Sequence, residues 1–140
     1  MKRVNQLLAL TLIAAMAVTV LTACSKEKKI NKQLEGTWTI TEVVTITNNG
    51  SPDTDNTETT TTFNKDGTGT ASSSGSGTNP FPNEFTWSNT DVKLTIIDTQ
   101  NSDILTFDIL DYSKKEMKLN RNYTDTASGD AIDQTITMNK

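Results

Sequence analysis

The sequence predicts an all-β fold: about eight antiparallel strands forming an up-and-down β-barrel, preceded by an N-terminal signal peptide helix. Three observations carry the barrel. From Gly36 onward apolar and polar residues alternate with period two in one short run after another, Thr crowds those runs while Ala nearly disappears, and turn-forming clusters separate them at short intervals. Each run is close in sequence to the next, so a meander is the simplest topology, and closure removes the edges that Thr-rich strands would otherwise expose.

The chain opens MKRVNQ and then runs without a charge from Leu7 to Ala23, LLALTLIAAMAVTVLTA. A basic start followed by an apolar stretch is the pattern of a secretory signal peptide. A permanent transmembrane helix needs roughly 20 apolar residues, only a little more than this run. Charge does not separate the two, because Lys26, Lys28 and Lys29 on the far side rival Lys2 and Arg3. The stretch Leu21-Thr22-Ala23-Cys24 decides, since it resembles the lipobox of bacterial lipoproteins. That resemblance implies that Cys24 receives a diacylglyceryl thioether, that the leader is cut before it, and that the new amino group is acylated. Two or three acyl chains hold a domain stably at a membrane where one does not. Cys24 is the only cysteine, so once capped it leaves no thiol for a disulfide, a metal or a nucleophile. Ser25 in place of Asp favours the outer membrane under the best-known Gram-negative sorting rule, and SKEKK does not choose between its periplasmic and surface faces.

Three segments follow: a lipoprotein signal peptide over 1–23, the lipidated cysteine with a polar tether over 24–35, and the barrel over 36–140. SKEKKINKQ reads as a solvated linker because of its charge run. The first strand is TWTITEVVTIT, Thr37 to Thr47, with Trp38, Ile40, Glu42, Val44 and Ile46 on one face and mostly Thr on the other. The loop NNGSPDTDN leads to ETTTTFN, ending at Asn64, and Asp66-Gly67 is a hairpin signal before TGTASSS. Beyond the flexible SGSGTNPFP, EFTWS aligns Phe85 with Trp87 and VKLTIID aligns Leu94 with Ile96. ILTFDILDY then aligns Leu105, Phe107 and Ile109, and MKLNRNY aligns Met117, Leu119, Arg121 and Tyr123. IDQTITM closes the chain with Ile132, Gln134, Ile136 and Met138 on one side.

Without residues 1–23 the chain has 117 residues, one domain in length, with 11 Lys plus Arg against 17 Asp plus Glu. An acidic balance without a basic stripe argues against nucleic acid. The chain has no histidine, which excludes Ser-His-Asp and Cys-His nucleophile arrangements and the usual zinc sites. No metal or other cofactor is expected beyond the acyl groups on Cys24. Asp53, Asp55 and Glu58 offer oxygen atoms but lack the glycine and spacing of a calcium loop. Glu42 is the one acid that strict alternation turns inward, where a carboxylate needs a partner, and Arg121 is the candidate. The alternative is a bulge that turns Glu42 to solvent, for which the adjacent Val43 and Val44 are a hint.

LEGTWTITEV, TFNKDGTGT, FTWSNTDVKLTI and LDYSKKEMKLN together resemble the lipocalin-like domains of bacterial lipoproteins, over residues 34 to 140. The resemblance implies a barrel in which the Trp of a Gly-X-Trp, here Trp38 after Gly36, closes one end, with an arginine of a late strand packed on it. Arg121 is the only late arginine. Asp125-Thr126-Ala127 also resembles a short bacterial O-glycosylation sequon, placing a modification on Thr126.

Two functions fit. In one, the barrel binds a small apolar or amphipathic ligand, with Trp38, Glu42, Phe63, Trp87, Phe107, Arg121 and Tyr123 as lumen-facing candidates. In the other, bulky side chains fill the lumen and the loops contact other envelope proteins; Phe81 between its two prolines marks a contact or a lid, or folds over the barrel end as plain core, the favoured reading. No nucleophile stands beside a base, so an enzyme is not expected, and the chain is expected to be a monomer.

Overall fold

A computed structural model describes residues 26–56, 58–73 and 79–140. The signal peptide, its helix and Cys24 lie outside the described residues.

Nine strands form one antiparallel sheet: β1 (Gly36–Thr47), β2 (Asp53–Asp55), β3 (Thr59–Phe63), β4 (Thr68–Ser73), β5 (Glu84–Asn89), β6 (Lys93–Asp98), β7 (Ile104–Tyr112), β8 (Glu116–Thr124) and β9 (Ala131–Asn139). Apart from β2, each strand pairs with the next along the chain, and β9 pairs back onto β1, so eight strands close an up-and-down barrel. The ninth, β2, arises within the expected NNGSPDTDN loop and pairs with the far half of β1, Val43 to Thr45, where β3 no longer reaches.

Alternation predicts the wall well except at two places. In β1 the register with β9 jumps between Ile40, opposite Met138, and Glu42, opposite Thr137, so Thr41 is an extra residue. An inserted residue reverses the facing of everything beyond it. Val43 is therefore the buried residue, and Glu42, Val44 and Ile46 lie in the outward phase, which corrects the inward placement expected for all three. Thr41 is tied down by Asn139, whose amide donates to its hydroxyl at 2.9 Å. A second register shift, between Ile109 and Asp111, leaves Leu110 59% exposed in the middle of an apolar-looking strand.

The largest departure is before the barrel. Residues 26–34, read from their charges as a tether, form a helix, α1. Its Lys, Glu and Gln residues are good helix formers. Ile30 and Leu34, one turn apart, put two fully buried side chains into the end of the barrel. Nine residues are too few to hold a helix alone in water, so packing must supply its stability. The Trp38 indole N–H donates to the Leu34 carbonyl at 2.7 Å. Gly36, at φ +113°, takes the backbone from helix into strand in a conformation that L side chains resist. Lys140 completes the closure. Its ammonium donates to the carbonyls of Gln33 (2.7 Å) and Glu35 (2.6 Å), and it sits 4.6 Å from the centre of the Trp38 ring. Burial lowers the Lys140 pKa below that of a free lysine, against the opposing charge of Glu35.

Above this plug the lumen is packed with rings. Phe63 meets Phe81, Phe85 and Trp87 edge-on at 5.5–6.1 Å, and Phe81 meets Phe107 at 5.4 Å. Phe81 is thus core, inserted from a loop. The Trp87 indole donates to the carbonyls of Asn64 and Thr68, tying the ring cluster to the β3–β4 hairpin. That hairpin turns where the Asp-Gly pair predicts, with Gly67 at φ +84°. Asp66 accepts from the hydroxyl and backbone N–H of Thr68, which hold its carboxyl below the usual range.

Gly69 is the tightest point. A methyl group there would stand 2.2 Å from the Phe85 ring and 2.9 Å from the Thr62 carbonyl oxygen. Gly69→Ala forces that ring out of the cluster and is expected to cost about 1–3 kcal/mol in urea unfolding. An unchanged midpoint would mean the ring does not sit there.

Candidate functional site

The two ends of the barrel differ. At the plugged end α1, Trp38 and Lys140 cover the opening. At the opposite end the chain enters β7 and leaves β8, and there the wall is incomplete. The β7–β8 register runs from Tyr112 opposite Met117 only as far as Asp108 opposite Asn120. Ile104 to Phe107 keep their pairing with β6, and Arg121 to Thr124 keep theirs with β9, but no register pairs join these two stretches to each other.

A groove of about 530 Å³ lies along this splayed seam. Its lining includes Asp103, Leu105, Thr106, Arg121, Tyr123 and Thr126. Arg121 is the central group. Its guanidinium carbon is 4.0 Å from the centre of the Tyr123 ring and 5.6 Å from that of Phe107. Stacking on two rings orients the planar guanidinium while leaving its hydrogen-bonding edge unused. Its Nε is buried without a hydrogen-bond partner, and among the described residues Arg121 forms no ion pair. Buried donors are rarely left unpaired, so this one is the chemically unsatisfied element of the groove. Tyr123 also borders a second groove, of about 610 Å³, with Asn48, Ile132 and Asp133. Deeper in the lumen, the hydroxyls of Thr59 and Thr61 are buried and lack partners too.

The sequence candidates separate accordingly. Arg121, Tyr123 and Phe107 come together at the seam. Trp38 and Phe63 are buried in the packed core, as is Trp87 with its indole N–H already used. Glu42 lies on the outer wall beside Thr137 and Lys118, far from partnering Arg121. The expected packing of Arg121 on Trp38 is also corrected: the cation on Trp38 is Lys140, while Arg121 stacks on Tyr123 and Phe107. Nothing in the sequence marks Lys140, since a lysine after the last strand reads as a solvated end. Thr126 is exposed in the β8–β9 turn at the rim of the groove. Neighbouring Asp125 accepts from the Ala127 N–H and the Ser128 hydroxyl, and its carboxyl is held below the usual range.

The model of the lipocalin-like domain family matches residues 19–118, most of the chain. The chain belongs to this lipocalin-like family. The match begins before α1 and stops within β8, so it does not reach β9, the strand that closes the barrel against β1. None of the curated proteins compared with this chain matches it. Family membership accounts for the barrel and leaves its ligand to the chemistry of the site.

Placing Glu42 outside and Val43 inside has a direct consequence. Glu42→Gln is expected to change stability by less than about 0.5 kcal/mol, whereas Val43→Asp buries an unpaired carboxylate and should abolish the cooperative thermal transition. The reverse ranking would restore the uninterrupted alternation.

Proposed function

We propose that the protein is a membrane-anchored envelope lipoprotein whose lipocalin-like barrel binds a small apolar or amphipathic molecule at the β7–β8 seam. The observation that carries the binding site is Arg121, half-buried and ring-stacked, with its Nε unpaired beside an apolar interior. A carboxylate or other oxygen acceptor on the ligand would satisfy that donor, while an apolar tail would enter beside Leu105 and Phe107. The anchor is the thioether-linked lipid on Cys24, resting on the LTAC lipobox, and the outer membrane is the favoured location, resting on Ser25 in place of Asp. The protein is read as a monomeric binding protein rather than an enzyme, because the chain has no histidine to pair with a serine or threonine hydroxyl.

The ring-filled lumen favours a second reading. Trp38, Phe63, Phe81, Phe85 and Phe107 leave the plugged half of the barrel as solid core. A ligand therefore occupies the seam and the open end, or there is none and the barrel displays its loops to other envelope proteins.

Calorimetric titration with decanoate and with decanol separates these. Binding is expected for the wild type, and Arg121→Gln should weaken decanoate about tenfold, equivalent to about 1.4 kcal/mol, while changing decanol much less. Failure of both probes to bind the wild type, together with a bare mass in native mass spectrometry, would support the interaction module instead.

A further inference from the structure

Charge is divided between the two ends of the barrel. Of the 11 cations beyond Arg3, eight lie at the plugged end: four on α1, Lys65 in the β3–β4 turn, Lys114 and Lys115 in the β7–β8 turn, and Lys140 after β9. Five acids accompany them, Glu27, Glu35, Asp66, Asp91 and Glu116. The open end carries nine acids on its strand ends and loops, and Arg121 is its one cation among the described residues. The remaining charges lie along the wall, where Lys93 meets Asp108 at 2.7 Å and Lys118 stands opposite Asp111.

The basic end also has relief. Two grooves flank α1. One, of about 380 Å³, is lined by Lys29, Lys32, Gln33, Lys114 and Lys140. The other, of about 350 Å³, is lined by Lys28, Asn31, Lys32, Glu35 and Lys65. Ile30 and Leu34 point into the barrel, so α1 turns its polar, lysine-bearing face outward and has no apolar stripe to insert into a hydrocarbon layer. Its partner must be met by charge.

We propose that this face docks on the anionic phospholipid headgroups of a bilayer, standing the barrel on its plugged end with the Arg121 seam directed away from the membrane. Headgroup phosphates fit the lysine-lined grooves, and each lysine held near an anionic surface adds to the attraction. The acidic open end is repelled by the same surface, which sets the orientation. Only Ser25 separates Cys24 from the first residue of α1. On the anchoring reading, two residue steps reach about 7 Å, too short a leash to keep this end away from the headgroups. Attraction by charge does not require the anchor, and the test treats the two separately.

Processed protein from its native envelope is reconstituted on vesicles of phosphatidylcholine alone and on vesicles containing phosphatidylglycerol. Lysines are then acetylated at low stoichiometry and the sites read by mass spectrometry. Docking predicts that labelling of Lys28, Lys29 and Lys32 falls about fivefold on the anionic vesicles, that Lys93 and Lys118 are unaffected, and that molar salt removes the difference. Association with anionic vesicles alone would support docking and contradict the anchor. Association with both kinds but with equal labelling would leave the anchor and overturn the docking, and release from both would overturn the two together. A Lys28→Glu, Lys29→Glu, Lys32→Glu variant, altered only at exposed positions, should lose the protection while keeping its circular dichroism spectrum.

Discussion

The Trp38 indole N–H reaches the carbonyl of Leu34 at 2.7 Å at the plugged end of the barrel, beneath the ammonium of Lys140. Three separate parts of the chain meet there: the last turn of α1, the start of β1, and the residue after β9. A barrel closed only by the β1–β9 ladder would still have an open base through which water could reach its rings. The indole, the two α1 side chains and the lysine close that base, and each supplies what another lacks. The Leu34 carbonyl has no helical successor to bond it, Trp38 needs an acceptor when buried, and Lys140 satisfies the carbonyls of Gln33 and Glu35 while covering the ring. The hydrogen bond to Trp38 contributes about 1 kcal/mol and the cation–π contact about as much. Their larger effect is to make α1 part of the fold.

Closing one end puts the chemistry at the other. With the plugged half filled by rings, the interior can accept a guest only toward β7 and β8, where the ladder stops at Asp108 and Asn120. The same separation orders the electrostatics, lysines around α1 and acids around the open rim, with Arg121 as the exception inside that rim. An acidic mouth around one ring-stacked guanidinium suits selective capture by a short-range contact. Long-range attraction of anions would need the opposite rim.

Much of this was legible in the sequence, and the rest was hidden for identifiable reasons. Period-two alternation located the eight barrel strands because each has one face in the core, and Asp66-Gly67 located a hairpin because the turn needs the positive φ that Gly supplies. Arg121 and Tyr123 were legible as a same-face pair two residues apart. The bulge at Thr41 was less so: alternation has no way to register an inserted residue except through a change of phase, and the adjacent Val43 and Val44 left only a weak trace of one. The helix was masked by its own charge. Only Ile30 and Leu34 carry its apolar face, and two residues among lysines resemble a linker until a barrel end is there to receive them. The cation on Trp38 is not legible, because a pattern of residue types points to a cation near a ring but does not say which strand end supplies it.

The central claim is that α1 and the barrel form one cooperative unit joined at Trp38. Hydrogen exchange followed by NMR tests it most directly, at the Trp38 indole and the Glu35 amide, which donates to the Asn31 carbonyl at 3.2 Å. If the account holds, both protons exchange only through global unfolding, with the same opening free energy as the core amides of β1 and β9. Exchange at the rate of a free peptide while those strands remain protected would mean that residues 26–34 are a tether after all, and that the barrel closes without them.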